Sequence, residues 1–230
     1  MALPLRSFPE PTPEVPPEQR REQRRALARS LGERIRPLVT ARDRRIELAG
    51  PLGVLVEGGL VRGSTVAVEG IGATSLALGM VAAASTAGAW CVVVGLADLA
   101  PVAVVEAGLD PARVAFVDAE GSGRVAEVIA ALVGAVDVVL LDARLPVRPS
   151  EVRRVGARLR ERGTVAVVVR PDGSGACGPW VADVALTARR ATWRGPGHGD
   201  GHLRTREVVV EVGGRGRAAR GGRHDLLLPG

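Results

Sequence analysis

The sequence predicts an α/β fold: a doubly wound, mostly parallel sheet flanked by helices, with an N-terminal helix before it and a β-hairpin near its C-terminal end. Three observations predict this. Short valine-rich runs recur between residues 64 and 170 (STVAVE, WCVVVG, RVAFVD, VDVVLLD and TVAVVVR), each closed by a glycine or a charged residue. They are apolar throughout rather than alternating, as in strands covered on both faces. Helical patterns separate them, and the repeated strand–helix order is that of a parallel sheet. With 46% hydrophobic residues in 230, the chain can bury a full core.

Residues 1–17 form a proline-rich leader (Pro4, Pro9, Pro11, Pro13, Pro16 and Pro17), expected to be extended. Residues 18–47 are read as a basic amphipathic helix segment. Leu27, Leu31, Ile35 and Leu38 make a narrow apolar stripe, and Arg20, Arg24 and Arg25 lie on other faces. The stripe either folds back on its own domain or docks on another protein. The core is expected over 48–212. Within it, Ser64–Glu69 is a strand, Gly70 and Gly72 form a turn, and Thr74–Ala87 is an apolar helix. Strands are placed next at 90–95, 113–118, 136–142 and 164–170. The helices between them are placed at 101–108, 123–134 and 149–162; the last has Val152, Val155 and Leu159 facing inward. Residues 181–194 and 204–212 read as the hairpin, and 213–230 as a flexible Gly/Arg-rich tail carrying Arg215, Arg217, Arg220 and Arg223.

The turn between the first core strand and its helix is where a nucleotide-binding α/β domain keeps its phosphate loop. Such a loop has four residues between its first glycine and the Gly-Lys-Ser/Thr that comes after it. Here only Ile71 separates Gly70 from Gly72, Ala73 stands at the lysine position, and the chain has no lysine. Thr74 keeps a hydroxyl, with Ser75 beside it. A short arc without a cation cannot hold a γ-phosphate, so neither ATP turnover nor a cofactor is expected. Ligands in such sheets sit at the carboxyl ends of strands, where Gly70, Asp98, Asp118, Asp142 and Arg170 fall. No nucleophile–base pair stands out. His198, Asp200 and His202 share one glycine-rich loop but lack a fourth ligand, so no metal site is expected. Cys91 and Cys177 lie far apart, which suits a reducing cytoplasm, and no signal peptide or membrane span is read.

Charge is concentrated at the ends. Residues 1–50 carry 11 arginines against 7 acids, residues 51–185 carry 11 against 14, and residues 186–230 carry 9 against 4. Basic ends on a mildly acidic core fit contact with nucleic acid or acidic protein surfaces, or a solvated surface set by composition.

Several segments carry a family resemblance. LGVLVEGGLVRGSTVAVEG (52–70) resembles the lead-in to the phosphate loop of RecA-family proteins. AVDVVLLDA (135–143) is similar to that family's second nucleotide strand, whose magnesium-associated aspartate would be Asp142. WCVVVGLADLAP (90–101) resembles the strand with the catalytic glutamate, a position taken here by Ala97. The resemblance spans about Leu48 to Val212. It implies a RecA-like fold whose N-terminal helix makes protein contacts and whose Pro171–Trp180 loop stands where the family touches DNA. With its decayed loop and basic ends, the chain most resembles the RecA-like accessory proteins of the bacterial mutasome, the ImuA type in its divergent actinobacterial form. That implies a non-catalytic partner of a catalytically inactive Y-family polymerase homologue and an error-prone C-family DNA polymerase. RecA and single-stranded DNA are further candidate contacts, and the expected location is cytoplasmic, at the nucleoid on DNA damage. Two alternatives stay open: a single-stranded DNA-binding RecA paralogue with little or no nucleotide dependence, and a small-ligand-binding α/β domain.

Overall fold

The valine runs form the middle of one eight-stranded sheet. In the computed structural model the described residues are 45–48, 50–86, 88–119, 123–170, 177–195, 204–215 and 221–229, all within the compact unit Ala41–Gly230. The strands of the sheet are β3 (Thr65–Gly70), β4 (Cys91–Val94), β5 (Val114–Val117), β6 (Val138–Asp142), β7 (Val165–Val169), β8 (Val184–Arg194), β9 (Thr205–Gly214) and β10 (Gly222–Pro229). Their spatial order is β10-β9-β8-β3-β7-β6-β4-β5. From β8 to β5 all neighbours are parallel; β9 and β10 add antiparallel pairs at one edge. The α/β class, the mostly parallel sheet with its flanking helices and the β8–β9 hairpin are thus as read from the sequence, while the N-terminal helix expected before them lies outside the described residues.

Burial follows from the parallel arrangement. All residues of β4, β6 and β7 are buried, and side chains alternate between two apolar layers. One layer packs Val66 and Val68 of β3 against helix α1 (Ala73–Thr86). The other packs Ala67, Val92 and Val139 against helices α3 (Val125–Leu132) and α4 (Pro149–Arg162); the short helix α2 (Pro101–Glu106) lies between β4 and β5 in the chain. Apolar on nearly every side, α1 buries Leu76, Ala77, Leu78, Met80, Val81 and Ala84. It is covered from outside by the 3₁₀ segment Gly50–Val54, whose Leu52 Cδ1 would lie 3.0 Å from a methyl built on Gly79. By contrast α4 is amphipathic, burying only Val152, Val155 and Leu159. Pro149 starts it, the Arg148 N–H donates to Glu151 Oε2 at 2.8 Å, and Gly163 ends it in the left-handed region.

Two boundaries need correction. Residues 45 and 46, expected to lie in the basic helix segment, do not form helix. Arg45–Ile46 is strand β1, paired antiparallel with β2 (Leu60–Val61) in a separate two-stranded ribbon. The flexible tail does not begin at Gly213. Gly213 and Gly214 belong to β9, and Gly222–Pro229 is the edge strand β10, whose Leu226 and Leu228 are buried in the α1-side core. An unpaired β9 edge beside an apolar groove is what makes HDLLLP a strand: Leu226 and Leu228 face in, while Leu227 is 55% exposed. The apolar stripe Leu27, Leu31, Ile35 and Leu38, together with Arg20, Arg24, Arg25, Arg217 and Arg220, lies outside the described residues, as does the loop with His198, Asp200 and His202.

Candidate functional site

The carboxyl ends of β3, β6, β7 and β8 bring the predicted residues to one edge of the sheet. Gly70 closes β3 with φ 93°, pressed against the Ala188 carbonyl of β8, and Ile71 N–H donates to that carbonyl at 3.0 Å. Any side chain at Gly70 would collide with this backbone. Gly72 has φ 74°. The turn is tight, as its single intervening residue requires, and Ile71 stands at its tip, 60% exposed. Ala73 is buried, Thr74 half-buried and Ser75 exposed in the first turn of α1. The first bond within this helix runs from Leu76 N–H to the Gly72 carbonyl, 3.1 Å. The N–H groups of Ala73, Thr74 and Ser75 lie ahead of it, and glycine at the preceding position has no side chain to cap them.

Arg206 approaches this turn from β9. It alternates with Val208 and Val210, so it shares their inward face. Its register neighbours are Trp193 on β8 and Leu228 on β10. The guanidinium stacks 5.2 Å from the Trp193 ring centroid. Trp193 reaches that face through an irregularity in β8, between Ala188 and Arg190, which shifts the register by one and reverses the parity of the rest of the strand. The guanidinium also meets the turn: a methyl built on Gly72 would lie 2.9 Å from Nη1. Arg206 is 4% exposed and its Nε has no hydrogen-bond partner. Burial lowers its pKa below the ordinary arginine value. The nearby Glu69 projects from the other face of the sheet, where its Oε1 accepts from Thr187 Oγ1 at 3.0 Å.

Asp142 ends β6 and is 1% exposed. Its carboxylate is clasped by Arg144, two residues on. Nε reaches Oδ1 and Oδ2 at 3.1 and 3.0 Å, Nη2 reaches Oδ2 at 2.6 Å, and the Arg144 backbone N–H donates to Oδ1 at 2.7 Å. Ala97 and Asp98 are exposed in the turn after β4. Cys177 is buried between β3 and β7, its thiol directed at the Val68 and Val168 carbonyls. Burial, with the Glu69 charge, pushes its pKa up to about 11; burial, with Asp137, pushes Cys91 to about 12. Both thiols are inert at neutral pH. Of the arginines expected in the tail, Arg215 is exposed and its backbone N–H donates to the Asp183 carbonyl at 2.8 Å, while Arg223 is exposed on β10.

A cleft of about 640 Å³ opens at the opposite, amino edge of the sheet, between the β1–β2 ribbon and the start of β8. Arg45, Arg62, Arg160 and His224 line it, with Asp183 and Glu57. Arg45 is held by the Glu57 and Gly59 carbonyls, and Arg62 by Asp137 at 2.8 Å. The sequence points to ligands only at the carboxyl edge and gives no sign of this cleft. Arg206 and Arg144 are likewise absent from the residues it singles out. The inward parity of Arg206 with Val208 and Val210 is a visible signal; nothing but proximity to Asp142 marks Arg144.

Comparison with known proteins places the chain. Residues 53–174 match the family model of the MT3502 N-terminal domain. The match covers the Gly70–Gly72 turn, Asp142 and Arg144, and stops before Arg206. Uncharacterized protein Rv3395c of Mycobacterium tuberculosis (strain ATCC 25618 / H37Rv) is 35% identical over 150 residues, which is 64% of this chain and 71% of that protein. With more than half of its length matched by the one and most of the other aligned to it, this chain belongs to the MT3502 N-terminal domain family.

Proposed function

We propose that this protein is a non-catalytic, RecA-like accessory factor of error-prone translesion DNA synthesis. It acts by contacts with a catalytically inactive Y-family polymerase homologue, an error-prone C-family polymerase and DNA. The observation that carries the non-catalytic half is the Asp142–Arg144 clasp. The carboxylate that would serve a magnesium ion is buried and holds a guanidinium by two side-chain nitrogens. Replacing that guanidinium with a cation would leave the arginine beside the metal. The short turn without lysine and the exposed Ala97 support the same reading. Parallel strands that bring Gly70 and Asp142 to one edge, with β7 between their strands, support the RecA-like one. The surfaces that act are then the basic ends of the chain, with their excess of arginine.

The test is co-purification of the tagged protein from its host with and without DNA damage, read by mass spectrometry, beside an ATPase assay of the purified chain. Polymerase subunits recovered under damage, with no ATP turnover, are expected. Abundant protein that recovers no polymerase subunit under damage would overturn the partner assignment. Turnover abolished by Asp142→Ala would overturn the non-catalytic one.

A further inference from the structure

We propose that the Gly70–Gly72 turn, the amide end of α1 and Arg206 form a binding site for a phosphate group, free or carried by a nucleotide. The cation comes from β9 rather than from the helix after the turn. Two independent observations meet here. The first is an uncapped end of a 14-residue helix, where the N–H groups of Ala73, Thr74 and Ser75 and the helix dipole favour an anion. The second is the buried Arg206, whose Nε is unpartnered and whose Nη1 stands against Gly72. Among the described residues Arg206 has one partner, the Trp193 ring, and no carboxylate. Glu69 projects from the other face of the sheet and forms no ion pair with it.

A buried guanidinium without a counter-ion is costly. An oxyanion at the mouth of the turn would supply that counter-ion and the acceptors for the helix amides at once. Ser75 and Ile71 are exposed, so the mouth opens to solvent. Gly72 has a second role in this geometry: a side chain there would displace the guanidinium. The site stands on geometry alone and is independent of the polymerase contacts proposed above.

The experiment is a titration of the ¹⁵N-labelled full chain with inorganic phosphate, then with ADP, against sodium chloride at matched ionic strength. Saturable shifts of the Gly72, Ala73, Thr74 and Ser75 amides are expected, with a rise in melting temperature. Arg206→Gln should weaken binding about tenfold or more, the loss of a charge-assisted hydrogen bond. Ile71→Asp, at the exposed tip and away from the core, should weaken it in the same direction, which keeps the test decisive where Arg206→Gln alters the fold. ADP binding more tightly than phosphate would assign the group to a nucleotide, and equal affinity would assign it to the free ion. Shifts scattered over surface arginines, unchanged in both variants, or reproduced by chloride, would overturn the site.

Discussion

Arg144→Ala isolates the interaction that holds the Asp142 carboxylate at the carboxyl edge. The substitution removes contacts from Nε and Nη2 to Asp142 and leaves the 2.7 Å bond from the backbone N–H of residue 144. Breaking a fully buried ion pair from one side costs about 3–5 kcal/mol. A fully exposed pair contributes only about 0.2–1 kcal/mol. Here the two partners differ: the aspartate side chain is 1% exposed and the arginine 45%. Water can therefore replace the guanidinium from the open side, but it cannot replace both arms at the same geometry. The retained backbone bond covers one oxygen. The expected cost is about 1.5–3 kcal/mol, the range for hydrogen bonds to a charged group.

Urea denaturation followed by circular dichroism reads this directly, since the shift in midpoint at constant slope gives the change in stability. The double-mutant cycle with Asp142→Asn should return a coupling of about 1–2 kcal/mol, little affected by salt because one partner is buried. A loss under about 0.5 kcal/mol for Arg144→Ala, the scale of an ordinary surface substitution, would refute the clasp as a structural element. It would also return Asp142 to the pool of available acids.

The other perturbations address the turn, the edge strand and the thiols. Gly70→Ala puts a methyl into the Ala188 carbonyl at φ 93° and should cost about 3 kcal/mol or more in the same assay, combining strain with displaced strand pairing. Leu228→Ala, at a 6% exposed position of β10, should cost about 2–4 kcal/mol, whereas Leu227→Ala at its exposed neighbour should lie within about 0.5 kcal/mol of wild type. Equal effects would mean that β10 is not packed as described. In the native protein the thiols should resist alkylation at pH 8 and react on unfolding. Burial pushes Cys91 up to about 12 and Cys177 up to about 11 from the ordinary 9.0, so the stability these two thiols contribute is full well below pH 9. It should fall as pH rises toward 11, when the unfolded thiols ionise and the folded ones do not, on the order of 1 kcal/mol per pH unit per thiol. Flat stability from pH 9 to 10.5 in a variant with both cysteines replaced by alanine would assign the slope to them, and an unchanged slope would refute it.

What the sequence disclosed depends on how local each cause was. Strands β4, β6 and β7 were legible because short valine runs without alternation fit burial on both faces, whereas the similar run of β5 lies at the sheet edge with Phe116 exposed. Helix α4 was legible to the residue because Pro149 and Gly163 are local signals. Strand β10 was not. Its Gly/Arg surroundings read as a tail, and only the exposed edge of β9 makes Gly222–Pro229 a strand, a cause lying ten or more residues away in the pairing of Leu226 with Val208. Arg206 was hidden differently. Its parity with Val208 and Val210 points inward, yet in a chain whose 31 basic residues are all arginine a single arginine in a strand carries little weight. The one-residue slip in β8 that sets Trp193 beside it has no sequence marker.

The turn without a lysine and the clasping of Asp142 have a joint consequence that can be measured. Phosphate sites that use a divalent cation need an acid to hold it, and the bound ion then offsets phosphate charge. Here the acid at the end of β6 is paired with Arg144, while Arg206 and the amide end of α1 bring positive charge to the turn. Charge balance at the turn thus needs an anion alone. Binding of ADP should therefore be the same in magnesium and in EDTA, within about twofold, since no magnesium-dependent contact is available to supply the roughly 1.4 kcal/mol of a tenfold change. Arg144→Ala is the control that gives the comparison its meaning. By freeing the carboxylate it should create a dependence on magnesium that the wild type lacks. Tighter binding in magnesium already in the wild type would mean that Arg144 yields Asp142 to the ion, and the clasp would then not be what keeps a cation from this edge.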